Sequence, residues 1–195
     1  MSSREQAPAA AELLAAFSQV MRRRRWRWYV FGGQAVLAYG RPRLTADVDV
    51  TVDLAESEPG DLVRELKRSS FDLRFELTDA FLAEARLLPF VHRKTGLPVD
   101  VVLVNSSLQA EFLERRKMID AGGSRVPMIS PEDLVATKIL AGRRKDLEDA
   151  RGVLLERGER LDLKRVRRVI EQLDAIRGGN KLRARLERLV RTLAR

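Results

Sequence analysis

The sequence predicts an α/β fold followed by a helical C-terminal part, on three observations. Short apolar runs rich in β-branched residues alternate with segments of helical spacing over the first two thirds of the chain. A strong helix start then follows at Ser130-Pro131. From Leu161 onward, apolar residues recur only at helical spacing. We therefore expect an α/β domain at residues 1–128 and a helical part at residues 129–195.

Composition excludes several classes of protein. The 195 residues are 45% hydrophobic, so we expect a packed core rather than disorder. No apolar run approaches 18 residues and no charged-then-apolar leader opens the chain, so we expect no membrane span and a cytoplasmic location. The absence of cysteine excludes disulfides and thiolate metal sites, and a single histidine excludes multi-histidine metal sites.

The charge is strongly positive and unevenly distributed. The formal net charge is +9, and residues 157–195 carry 13 Lys or Arg against 5 Asp or Glu. This excess favours a polyanionic partner such as a nucleic acid. The alternative is that the arginine excess reflects only the base composition of a genome.

The first motif is a strand, a glycine pair and a short helix. Trp28–Phe31 is typical of a short buried strand, and Gln34–Tyr39 of a helix that Gly40 ends. Gly32-Gly33 between them lets the backbone turn sharply and lets a ligand approach the amides. Because helix N-termini present free N–H groups to anions, this segment predicts a phosphate-binding site. Alternatively, the glycine pair is only a turn.

Two carboxylates follow in the β-branched run Val48–Val52. Asp47 and Asp49 are two residues apart, so on a strand both side chains share one face. Neighbouring carboxylates repel, and a hard cation such as Mg²⁺ removes that conflict. A carboxylate pair facing a phosphate site is typical of phosphoryl or nucleotidyl transfer. The alternative is a solvated strand face.

A third carboxylate lies in a predicted hairpin. Phe90–His92 and Leu97–Val104 form two strands around Thr95-Gly96, and Asp100 lies within the second, among apolar residues. A charged aspartate there requires a partner. The alternative is an aspartate at a strand edge, bonded to backbone. We expect His92 to point outward from its strand, without a functional role.

A second charged motif follows Ser130. The run from Ala136 to Asp149 contains Lys138, Arg143, Arg144, Lys145 and Asp146. Taken alone it is typical of a solvated amphipathic helix, because i,i+4 charge pairs are common there. Together with the glycine pair and the three aspartates, it predicts a binding site.

The pattern Gly32-Gly33-x-Ala35, Gly40-Arg41, Arg43-x-Thr45-x-Asp47-x-Asp49 resembles the signature of the nucleotidyltransferase superfamily. Within it, Lys138 followed by Arg143-x-Lys145-Asp146-x-x-Asp149 is similar to the second signature of the abortive-infection type toxin nucleotidyltransferases. Much of the superfamily has Gly-Ser, whose serine binds a phosphate, where this chain has Gly32-Gly33. The resemblance implies a mixed sheet flanked by helices, with residues 1–128 as the catalytic domain.

The resemblance also implies a site and a reaction. Asp47, Asp49 and Asp100 would be the catalytic residues and would hold two Mg²⁺ ions. Nucleotide binding would fall to eight residues: Gly32, Gly33, Gln34, Arg43, Thr45, Lys138, Lys145 and Asp146. An acceptor hydroxyl would attack the α-phosphate of an NTP and release pyrophosphate. In the toxin branch acceptors include tRNA ends, and a cognate antitoxin often accompanies the toxin.

Two other classes of function remain open at this stage. The chain could be an inactive transferase scaffold that binds nucleic acid through its basic C-terminal part, although all three carboxylates and Lys138 are present. It could instead modify a small antibiotic. An acidic pocket would favour that reaction because aminoglycosides are cationic, and the positive charge of this chain argues against it.

Overall fold

A computed structural model describes residues 3–41, 45, 47–78, 84 and 86–193, which divide into two compact units. The first unit comprises Met1–Gln34 and Leu44–Ile129, and the second comprises Ala35–Arg43 and Ser130–Arg195. The predicted division after residue 128 assigns Ala35–Arg43 to the first part, whereas in the structure this segment belongs to the second unit.

The first unit is built on a seven-stranded sheet. Its strands are β1 (Arg27–Phe31), β2 (Val48–Asp53), β3 (Phe71–Leu73), β4 (Leu87–His92), β5 (Pro98–Leu103), β6 (Lys117–Ala121) and β7 (Ser124–Met128). Its helices are α1 (Ser3–Arg24), α3 (Pro59–Arg68) and α4 (Ser107–Arg115), and α2 (Gly32–Tyr39) begins in this unit.

The sheet is mixed, as the sequence predicts. The strand order is β3-β4-β5-β2-β1-β7-β6. The pairs β2–β5 and β1–β7 are parallel, and the other four neighbouring pairs are antiparallel. The predicted hairpin around Thr95-Gly96 is confirmed as β4 and β5, which places Asp100 in an inner strand.

One face of the sheet forms the core against helix α1. The ring centroids of Phe17 and Trp28 are 5.1 Å apart, and those of Phe17 and Phe71 are 5.8 Å apart. Alternate strand residues Val48, Val50 and Val52 are fully buried. Trp28 therefore belongs to the core, and this burial leaves the alternate positions of β2 and β5 for the opposite face.

Two details of this unit differ from the prediction. His92 is 2% exposed, its Nδ1 lies 2.9 Å from Thr95 Oγ1 and its ring packs on Phe71, so the predicted outward orientation is wrong. Apolar and charged residues alternate over Phe71–Leu77, a pattern that predicts a strand to Leu77, but β3 ends at Leu73. The sequence also predicts a short helix over residues 79–86 that Thr78 caps, and most of it lies outside the described residues.

The second unit is helical where it follows Ile129. Its helices are α5 (Pro131–Ala141), α6 (Arg144–Arg157), α7 (Leu163–Arg177) and α8 (Lys181–Leu193), with a 3₁₀ turn at Gly158–Arg160. Ser130 caps α5 by accepting a hydrogen bond from the Asp133 backbone N–H, and Gly142 ends it at φ 68°. The predicted helix start at Ser130-Pro131 is confirmed.

None of the helices among the described residues is both long and apolar enough to cross a membrane.

Candidate active site

A row of side chains crosses the sheet on the face opposite helix α1. Strand register pairs Phe31 with Asp49 and Asp49 with Asp100. It also pairs Asp100 with Pro89. Directly paired residues share a face, and neighbouring strands lie about 4.8 Å apart. The two carboxylates predicted from separate parts of the sequence therefore occupy adjacent positions in one row.

Gly32 brings the backbone directly against Asp49. Its φ is +64°, and a Cβ at this position would lie 1.8 Å from Asp49 Oδ2. Helix α2 begins at Gly32, two residues earlier than predicted, so strand β1 passes into the helix without a loop. Only glycine permits this turn and this approach together.

Gly33 makes a second close approach, toward Thr45. A Cβ on Gly33 would lie 2.2 Å from Thr45 Oγ1. Thr45 is buried, and its hydroxyl donates a 2.9 Å hydrogen bond to Asp47 Oδ1. The Gln34 side-chain amide donates to the Asp47 backbone oxygen at 3.4 Å. These contacts fix Asp47 immediately before strand β2, with its own side chain exposed.

Asp100 has the charged partner that the sequence requires but does not identify. The Arg74 guanidinium donates to Asp100 Oδ1, and the two side chains are 39% and 27% exposed. The Arg74 backbone N–H donates to Pro89 O at 3.0 Å, which extends the β3–β4 ladder by one residue. Arg74 thus stands at the end of the row that contains Asp100 and Asp49.

The three aspartates have the oxygen chemistry that Mg²⁺ prefers, and Asp49 and Asp100 are register neighbours. In the conformation seen here, no three His, Cys, Asp or Glu side chains in the described part of the chain are arranged to hold a metal ion. Asp100 is bound to Arg74 and Asp47 to Thr45. The donor set therefore fits a divalent cation in kind, and a role for Asp100 as a ligand would require it to exchange its Arg74 partner.

The second charged motif forms a buried cluster within the second unit. Lys138 Nζ lies 3.1 Å from Asp146 Oδ1 and 2.8 Å from Asp149 Oδ2. The three side chains are 9%, 1% and 4% exposed. Burial raises the pKa of Asp146, but hydrogen bonds from Arg143 and Lys138 outweigh it and hold that pKa below its ordinary value. The predicted alternative of a solvated charged helix does not apply to these three residues.

Lys145 lies outside this cluster, beside an open pocket of about 340 Å³ in the second unit. The Lys145 side chain is exposed, and so are the basic Arg41 and Arg151 that share the lining. Val36 and Leu155 supply apolar surface, and Gly152 also lines the pocket. Glu148 and Asp149 also line the pocket, so it combines an apolar wall with a rim of both charges, in which basic residues outnumber acidic ones by one.

The sequence-predicted residues thus fall into two groups, each within one unit. Asp47, Asp49, Asp100, Gly32, Gly33, Gln34 and Thr45 belong to the first, and Lys138, Lys145 and Asp146 to the second. Arg43 lies outside the described residues. Sequence reasoning did not identify Arg74, because its link to Asp100 spans 26 residues and two strand pairings. The one signal in the sequence that pointed toward Arg74 is that Asp100, a charged residue in an apolar strand, requires a partner.

A family model described as "Nucleotidyltransferase of unknown function (DUF6036)" matches residues 11–190. The chain belongs to this nucleotidyltransferase family. The match spans both units, and it supports the sequence-based resemblance at the level of the superfamily. The abortive-infection toxin branch is a finer assignment that this match does not make.

Solved structures show the same fold at low sequence identity. An antigenic nucleotidyltransferase-like protein from Paracoccidioides brasiliensis is 18% identical, with a TM-score of 0.56 and 94% coverage of each chain. The antibiotic-resistance factor ANT(2'')-Ia in solution is 12% identical, with a TM-score of 0.60 over 87% of this chain and 93% of its own. A crystal structure of ANT(2'')-Ia with adenylyl-2''-tobramycin is 14% identical, with a TM-score of 0.57 over 82% and 94% of the two chains. No curated protein matches this chain in sequence.

Proposed function

We propose that this chain is a metal-dependent nucleotidyltransferase that transfers a nucleoside monophosphate from an NTP to an acceptor hydroxyl on RNA, with a tRNA end as the leading candidate. The observation that carries the proposal is the row in which Asp49 and Asp100 are register neighbours, with Gly32 against the Asp49 carboxylate. Membership of a nucleotidyltransferase family supports the reaction type.

Asp47, Asp49 and Asp100 would hold two Mg²⁺ ions, which when bound stabilise the attacking and leaving oxygens of the displacement. The acceptor oxygen bonds to the α-phosphorus, the bond from that phosphorus to the bridging oxygen breaks, and pyrophosphate leaves. Asp100 would hold its cation beside the acceptor hydroxyl or take the hydroxyl proton. Gly32 and Gly33 carry no Cβ to collide with Asp49 and Thr45, so the N-terminus of helix α2 lies close to the carboxylates, where its N–H groups could contact a phosphate held by the cations.

Gln34, Arg43 and Thr45 would also take part in nucleotide binding. The remaining candidates are Lys138, Lys145 and Asp146. Lys145 is exposed and can meet a phosphate directly. Lys138 and Asp146 are buried against each other, so they would hold the start of helix α6 in place for Lys145. Lys138 would contact a phosphate only on leaving one of its carboxylates.

Exposed cations on the last two helices support an RNA acceptor. Helices α7 and α8 present Lys164, Arg168, Arg177, Lys181, Arg183, Arg188 and Arg191. Arg185 differs, because it donates to the Ile139 backbone oxygen at 2.6 Å and so stabilises the end of α5. By resemblance to the toxin branch, the chain would act as a toxin with a cognate antitoxin protein.

To test this, wild type and two matched variants are each incubated with total RNA and one α-³²P-labelled NTP at a time. Each reaction is run with and without Mg²⁺. Asp49→Asn removes a proposed ligand. Asp53→Asn makes the same change on the same strand and face, at a residue paired with Arg27. We expect label on RNA only with Mg²⁺, lost at least about 100-fold in Asp49→Asn and kept in Asp53→Asn.

Two outcomes would contradict the proposal. Absence of transfer from every NTP would favour an inactive scaffold that binds nucleic acid, and full transfer by Asp49→Asn would remove the aspartate from the mechanism. A parallel reaction with aminoglycosides tests the alternative that the ANT(2'')-Ia fold neighbours suggest. Label on the aminoglycoside and none on RNA would favour antibiotic modification.

The acceptor surface has its own test in the triple variant Arg183→Gln, Arg188→Gln and Arg191→Gln. Each lost phosphate contact should lower the slope of log affinity against log salt by about 0.7 for single-stranded RNA. Electrophoretic mobility shifts at several salt concentrations measure this slope. Replacing Arg22, Arg23 and Arg24, the basic last turn of α1, provides the matched control. An unchanged slope in the α8 variant would mean that these helices are only a solvated surface.

A further inference from the structure

We propose that Arg74 is a competing counter-ion at the active site, which holds Asp100 in the free protein and must release it when a divalent cation binds. This inference rests on the proposed function, because it assumes that Asp100 is a cation ligand. It adds a residue that neither the family match nor the sequence motifs assign.

Arg74 and Asp100 belong to one row of residues across the sheet. Arg74, Pro89 and Asp100 are successive members across β3, β4 and β5, since the Arg74 N–H donates to Pro89 O and Pro89 pairs with Asp100. Two strand spacings separate the Arg74 and Asp100 backbones by about 10 Å. The intervening side chain is a short proline ring, which carries no charge and leaves space for the guanidinium to reach the carboxylate.

The Arg74 guanidinium and a bound cation would compete for the same carboxylate. Arg74 binds Asp100 Oδ1, so a divalent cation at the same carboxylate would lie within a few ångströms of the guanidinium. Like charges at that distance repel, and the guanidinium also lowers the negative potential that attracts the cation. The pair is 39% and 27% exposed, so it can open into water at a small cost.

The neighbouring carboxylate, Asp49, adds to the negative charge of the row. Asp49 lies beside Asp100 in the row, and the arginine backbone lies on the side of Asp100 away from Asp49. The ion pair therefore stabilises a half-exposed row of carboxylates when no cation is present.

The test is Mn²⁺ affinity without nucleotide, measured by electron paramagnetic resonance of free Mn²⁺ and by calorimetry. Arg74→Gln should bind Mn²⁺ about two- to tenfold more tightly than wild type, because the competing cation is gone. Arg64→Gln removes an exposed arginine paired with Asp61 on α3 and should leave the affinity unchanged. In an Asp100→Asn background, Arg74→Gln should no longer tighten binding.

Unchanged or weaker Mn²⁺ binding in Arg74→Gln would overturn the counter-ion role, and weaker binding would show that Arg74 instead orients Asp100 for the cation. An equal gain of Mn²⁺ affinity in Arg64→Gln would show that the effect comes only from net charge, and it would also overturn the counter-ion role of Arg74. Failure of wild type to bind Mn²⁺ at any accessible concentration would overturn the cation site itself, which is a failure of the proposed function rather than of the Arg74 pairing alone.

Discussion

The two charged clusters of this molecule differ in how much water reaches them. Asp100 and Arg74 on the sheet of the first unit are 27% and 39% exposed. Asp146 and Asp149 of the second unit are 1% and 4% exposed, with Lys138 enclosed between them. A solvated ion pair exchanges partners at little cost, whereas a buried pair broken on one side leaves an uncompensated charge. The first arrangement suits a site that takes up a ligand, and the second suits a fixed support.

The largest effect should therefore come from the buried cluster. Lys138→Met leaves two buried carboxylates without their shared ammonium, and we expect it to lower the free energy of unfolding by about 3–5 kcal/mol. Urea denaturation measures this loss. The control is Lys145→Met, which changes an exposed lysine on the following helix and should stay within about 0.5 kcal/mol of wild type. Equal stability of both variants would mean that the cluster is not a support.

The second-largest effect should be a loss of folding stability at low pH, through Asp146 of the same cluster. The pKa of Asp146 lies below its ordinary value in the folded state, because Arg143 and Lys138 outweigh the effect of burial. The stability that ionised Asp146 contributes is therefore complete above the unfolded pKa of 3.8 and is lost as pH falls through the lower folded pKa. Unfolding free energies measured from pH 6 to pH 3 should fall less steeply in Asp146→Asn than in wild type. Parallel curves would contradict the assigned ion pairs.

The exposed pair should have the smallest effect on stability. Asp100→Asn removes an ion pair that water reaches on both sides, so we expect less than about 1 kcal/mol of change in urea denaturation. The same variant should lose transfer activity, and this separation of activity from stability is what distinguishes the first cluster from the second. A loss of several kcal/mol would instead make Asp100 a structural residue.

Local patterns in the sequence predicted most of the fold. The apolar run before Gly32, the β-branched run through Asp49 and the cap at Ser130 each define an element from adjacent residues, and the structure has all three. Membership of a nucleotidyltransferase family likewise agrees with the glycine and aspartate motif. Because these features are defined by adjacent residues, a single sequence is enough to predict them.

Features that depend on long-range pairing could not be predicted. His92 is buried because Phe71 lies opposite it in the next strand, and the predicted strand pattern alone did not show that neighbour. Arg74 meets Asp100 only through the β3–β4–β5 register. The burial of Lys138 depends on helix α6 folding back on helix α5, whereas charge spacing alone favours a solvated face.

The assignment of cation binding to the exposed row is tested most directly by the thermal shift that Mn²⁺ produces. We would measure it in four proteins: wild type, Asp49→Asn, Asp53→Asn and Asp146→Asn. A ligand at 100 times its dissociation constant adds about 2.7 kcal/mol of stability, which corresponds to roughly 5–10 °C for a chain of this size. We predict this rise in wild type, in Asp53→Asn and in the less stable Asp146→Asn, and its loss in Asp49→Asn. A full shift in Asp49→Asn, or a shift lost only in Asp146→Asn, would contradict the assignment of cation binding to the exposed row.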